Sequence, residues 1–199
     1  MLALPTTKTK LAAVFCVFMF LILFGLSTYL TAYLKGQISK SLFTVSQSLA
    51  FGNQPVVIIL ISIALFLLAF INHIRGPAKL LWIRQFMLLL VYGLVISLLW
   101  VTTYYSEMDH YILASIIFTT IVVYIIMTCV LYYQNSKALT MLSKVLLIAL
   151  PVLVALVFAG LVIANIDIVR KEVVELFPSL ENSMIFLFLV CIIIQGFIV

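Results

Sequence analysis

The chain has 199 residues, of which 66% are hydrophobic and only 9% charged, with a formal net charge of +5. An average soluble domain is roughly 25% charged, and a water-soluble protein of this length has no interior large enough to hide so much apolar surface. Composition therefore excludes a soluble enzyme, a disordered tail and a nucleic-acid-binding module, and predicts a polytopic membrane protein in which lipid supplies the missing interior.

A helix needs about 20 predominantly apolar residues to cross a bilayer. The first such run, 11–34, follows Lys8 and Lys10. It is much longer than a signal-peptide core and has no convincing cleavage site, so it reads as a retained signal anchor. The polar stretch 35–55 comes next. Its Ile38, Leu42, Phe43, Val45, Leu49 and Phe51 would line one side of a segment on the membrane surface, or else belong to an irregular loop over the helix ends. The second span, 56–74, follows Pro55, and the third, 80–105, is entered through Arg75-Gly76-Pro77. The fourth is 111–133, the fifth 145–166 with Pro151 inside it, and the sixth 180–199. The predicted architecture is all-α, a single transmembrane domain of six helices over residues 1–199.

Charge sorts the loops between two faces. With six spans, one face carries Lys8, Lys10, Arg75, Lys79, Arg84, Lys137 and Lys144 and no acid. The other carries Lys35, Lys40, Arg170 and Lys171 with all six acids, Glu107, Asp109, Asp167, Glu172, Glu175 and Glu181. Seven positive charges against four predict cytosolic N- and C-termini by the positive-inside rule. A missed or spurious helix would scramble this segregation, so the charges support the span count as well.

Chemistry at membrane depth normally leaves ionisable groups in the spans, and the middles of these spans have almost none. His73 and His110 lie near opposite faces, which rules out their pairing across a haem inside the bundle. No phosphate-binding loop, metalloprotease motif or nucleophile elbow occurs. Cys16, Cys129 and Cys191 are odd in number, lack CxxC spacing and sit in apolar runs, so they read as small buried hydrophobes. Thr119, Thr120, Thr128 and Gln195 are expected to bond between helices. No catalytic residue, cofactor or metal site is predicted.

Arg84 is one candidate contact residue. Its predicted span has 26 residues, about 39 Å of helix against roughly 30 Å of hydrocarbon. The surplus would let Arg84 snorkel to the headgroups as an anchor; a specific contact with a lipid phosphate or a partner is the other reading. On the opposite face Asp109 and His110 precede the fourth span and Glu181 begins the sixth. Capping of the helix dipoles suffices for Asp109 and Glu181, and a luminal polar cluster touching a partner or a headgroup is the alternative.

Local motifs run through most of the chain. Ile38-Ser39-Lys40 followed by Phe51-Gly52, then Asp109-His110 with Ala114 and Val123-Tyr124, and finally Glu181, resemble the damage-regulated autophagy modulator (DRAM) family and its wider superfamily. In place of that family's Pro-Pro-Glu-Ser stands Val45-Ser46-Gln47-Ser48, the order of its acid/histidine pair is reversed, and its Cys-Glu-Trp is Leu180-Glu181-Asn182. The resemblance implies a six-span fold and residence in the lysosome, the Golgi or the plasma membrane. The expected function is a non-enzymatic protein that organises membrane lipids or a membrane complex. An accessory subunit of a larger assembly, and a small transporter or channel subunit, are the alternatives. Partners would be membrane lipids and other membrane proteins met helix to helix, with no nucleic acid.

Overall fold

A computed structural model describes residues 7–34, 55–75, 78–101, 107–135, 139–164 and 177–195. These form six helices: α1 (Thr7–Leu34), α2 (Pro55–Arg75), α3 (Leu81–Val101), α4 (Glu107–Asn135), α5 (Met141–Ala164) and α6 (Phe177–Ile193). In lipid a helix satisfies every backbone N–H and C=O within its own segment, so uninterrupted apolar runs have no competitive alternative. Five of the helices are long and apolar enough to cross a membrane, and α6 is a shorter apolar helix. The chain is a multi-pass membrane protein. Its predicted surface segment within 35–55, with the Ile38-Ser39-Lys40 motif, lies outside the described residues, as do Asp167, Arg170, Lys171, Glu172 and Glu175.

Helix ends follow local chemistry. The Ser143 N–H donates to Thr140 Oγ1 at 3.2 Å and the two hydroxyls are 2.8 Å apart, so Thr140 caps α5. That cap starts the helix at Met141, ahead of the predicted residue 145. Before α3, Leu80 takes a left-handed φ of 55°; the Leu81 N–H reaches Ala78 O at 3.2 Å and the Arg84 N–H reaches Leu80 O at 3.1 Å. Pro178 lies in the first turn of α6, where its fixed φ suits a helix start and its missing N–H is not needed. Pro151 sits inside α5, which continues through it and forgoes the bond to the Leu147 carbonyl. At its other end α6 passes into a wider π-type turn at Ile194 and Gln195.

Consecutive helices pack against one another, and α6 also touches α4 and α1, which closes the bundle. Short connections make such antiparallel neighbours the expected arrangement. The innermost contacts are aromatic. Phe20 of α1 and Tyr124 of α4 both meet Phe188 of α6 edge-on, with centroids 6.5 and 6.4 Å apart, and Phe20 stacks on Phe24 at 5.7 Å. Such edge-on pairs are favoured by the ring quadrupoles. Lipid removes the hydrophobic drive between helices, so close packing and interhelical hydrogen bonds hold them together. Accordingly the large apolar side chains divide between this core and a lipid-facing exterior that includes Phe66, Phe86 and Leu156.

Candidate functional site

The densest polar structure lies where α2 and α4 end, α3 begins and α6 passes into its π-type turn. It is built on helical spacing. Tyr124, Thr128 and Tyr132 recur every four residues along one face of α4, Asn72 and Arg75 are three apart on α2, and Cys191 and Gln195 are four apart on α6. All seven are buried.

Tyr124 Oη is the junction. Gln195 Nε2 donates to it at 3.0 Å, and its own proton points to Asn72 Oδ1 at 3.3 Å. One hydroxyl thus joins α6, α4 and α2. Gln195 Nε2 also lies 3.7 Å from Cys191 Sγ. About two turns nearer the end of α4, Tyr132 donates to the backbone oxygen of Arg75 at 2.9 Å, occupying a terminal carbonyl that α2 cannot satisfy itself. On α3, Gln85 Nε2 donates to Ala69 O of α2 at 2.9 Å. Tyr132 is within electrostatic range of both Arg75 and Arg84.

Arg84 is 0% exposed, which corrects the expectation of a snorkelling headgroup anchor. Arg84 instead points into the bundle, in electrostatic range of Tyr124 and Tyr132. Its neighbour Trp82, at 87% exposure, faces outward.

At the other end of the bundle the candidate residues occupy separate helices. Asp109 is half-buried in the first turn of α4, where the backbone dipole favours a carboxylate. His110 is the next residue of that helix, and its side chain lies outside the description. Glu181 is fully buried. With α6 starting at Phe177 beside Pro178, its first turn holds no acid and Glu181 falls in the second. There α6 runs close to α5: a Cβ on Gly160 would stand 3.2 Å from Leu180 Cδ2.

The hydroxyls of the spans divide unevenly. Thr119 and Thr120, expected to bond between helices, donate to Ser115 O and Ile116 O of their own helix at 2.8 Å each. Gln195 does bond across helices. Asn72, Arg75 and Tyr132 were not singled out by sequence reasoning. The available signal was the four-residue repeat of Tyr124, Thr128 and Tyr132 and an amide, Asn72, in an otherwise apolar helix, where a polar group needs a partner.

Cys16, Cys129 and Cys191 are free and buried. Among the described residues no three His, Cys, Asp or Glu side chains gather as metal ligands. What the basic end offers chemically is cationic and amide N–H donors beside phenol hydroxyls, a set suited to holding an anion or a polar group. No family model, curated protein or solved structure matches this chain.

Proposed function

We propose that this chain is a non-enzymatic six-span membrane protein, with cytosolic N- and C-termini, that organises membrane lipids or a membrane-protein complex through its basic end. The observation that carries this reading is the fully buried Arg84 beside the Asn72–Tyr124–Gln195 junction. A cation and a bonded amide–phenol chain inside an otherwise apolar bundle are expensive unless they serve a contact or fix the helices. The exterior is apolar on α1, α3 and α5, so partners would be lipids or other helices. The DRAM-like motifs support residence in the lysosome, the Golgi or the plasma membrane, and a link to autophagy.

An accessory-subunit role is the second reading. Gly93 of α3 is exposed, with open space where a Cβ would stand, and Ser97 lies four residues on. Small residues at that spacing let a partner helix approach closely. Mild detergent extraction followed by native mass measurement separates the two. A lone protomer with stoichiometric lipid supports lipid organisation, and a large defined assembly supports the accessory role. A lone protomer stripped of both lipid and protein would contradict both.

A further inference from the structure

We propose that the basic end of the bundle binds a phosphate group, presented by an anionic lipid headgroup, through Arg75 and Asn72 with the charge of Arg84 behind them. The proposal deepens the lipid-organising reading and rests on it.

Arg75 is the last residue of α2, 7% exposed, and Asn72 is fully buried one turn earlier on the same face. Arg75 Nε and Asn72 Nδ2 are both buried N–H donors without a hydrogen-bond partner among the described residues. Buried donors are normally satisfied, so two neighbouring exceptions point to a missing acceptor. The acceptors of the same two residues are engaged: Asn72 Oδ1 faces Tyr124 Oη, and the Arg75 carbonyl accepts from Tyr132. The two N–H groups are left as donors, which an acceptor-only anion would fill.

Charge agrees with the donors. Arg75 and Arg84 both lie in electrostatic range of Tyr132, so two buried positive charges share one neighbourhood. The described acids, Glu107, Asp109 and Glu181, belong to the starts of α4 and α6, at the opposite end of the bundle. Two like charges are buried together at lower free energy when an anion joins them. A guanidinium matches phosphate oxygens in a planar, bidentate fashion.

Height favours lipid as the source. Trp82, 87% exposed at the second residue of α3, has the amphipathic ring that settles at the headgroup level. It sits on the same turn as Arg84, next to the end of α2. Lys79 is exposed near that end, adding a cation at the depth where lipid phosphates lie.

The test is thermal unfolding of the purified full chain in detergent micelles of three kinds: with phosphatidylcholine alone, with phosphatidic acid added, and with inorganic phosphate added instead. Phosphatidic acid is expected to raise the midpoint by about 5 °C at saturation. Arg75→Gln should lose most of that rise while its midpoint in phosphatidylcholine stays near that of the native chain. Arg75→Lys should keep a part of it, because the charge remains and the planar fork is lost. A rise with inorganic phosphate equal to that with phosphatidic acid would assign the site to free phosphate. No rise with either, or an equal rise in Arg75→Gln, overturns the proposal. If Arg75→Gln does not fold, Arg75→Lys decides, since a full rise there also contradicts a bidentate site. A stoichiometric lipid without phosphate in the native-mass experiment would sink this inference and leave the lipid-organising reading standing.

Discussion

The two ends of the bundle solve the same problem in different ways. At the basic end, polar side chains reach across helices: Gln195 to Tyr124, Tyr124 to Asn72, Tyr132 to Arg75 and Gln85 to Ala69. At the acid-bearing end, Asp109 stays half-buried in its own first turn, Ser183 bonds back to Ser179 O, and α5 and α6 meet through Gly160 and Leu180. The basic end is located by hydrogen bonds between helices, and at the acid-bearing end α5 and α6 meet in close packing. In lipid, where the hydrophobic effect does not draw helices together, the bonds at the basic end fix which helices are neighbours there.

Deleting Tyr124 should have the largest effect. Its ring fills the space between Phe188 and the junction, and Tyr124→Ala should destabilise the fold by about 3 kcal/mol, read by thermal unfolding in detergent. A loss no greater than that of a lipid-facing Leu156→Ala would break the comparison. Tyr132→Phe keeps the ring and strips only the donor to the Arg75 carbonyl, so a loss of about 1 kcal/mol is expected. At the other end, Gly160→Ala should cost under about 1 kcal/mol, because the group in its way is the rotatable tip of Leu180. A larger loss there would mean that the backbones of α5 and α6 cannot separate. The smallest effect belongs to Asp109→Asn, about 0.5 kcal/mol from the dipole of α4, and it should shrink further in high salt.

Much of this fold was legible in the sequence because lipid imposes one strong rule. Apolar runs of span length predicted the helices, and the starts of α1, α4, α5 and α6 each lie three or four residues earlier than the apolar runs, α5 for the Thr140 cap and α6 beside Pro178. The site was less legible. Arg84 was singled out, but its direction depends on which face of α3 meets its neighbours, which periodicity does not give when a helix is apolar all round. Glu181 was read as a cap because its run of hydrophobic residues begins after it, whereas the helix begins four residues earlier. Asn72 and Gln195 are amides in apolar helices that need a partner, but the sequence does not say which. Only the bundle brings them to the same hydroxyl.

The central claim is that side-chain bonds across helices hold the bundle together at its basic end. A pair of double-mutant cycles tests it most directly, with unfolding free energies measured in one detergent. Tyr124→Phe with Gln195→Leu should show a coupling of about 1 kcal/mol, within the range for hydrogen bonds between membrane helices. Tyr124→Phe with Leu156→Ala, a lipid-facing side chain of α5, should be additive to within about 0.3 kcal/mol. Additive effects at Tyr124 and Gln195, or an equal coupling to Leu156, would contradict the account.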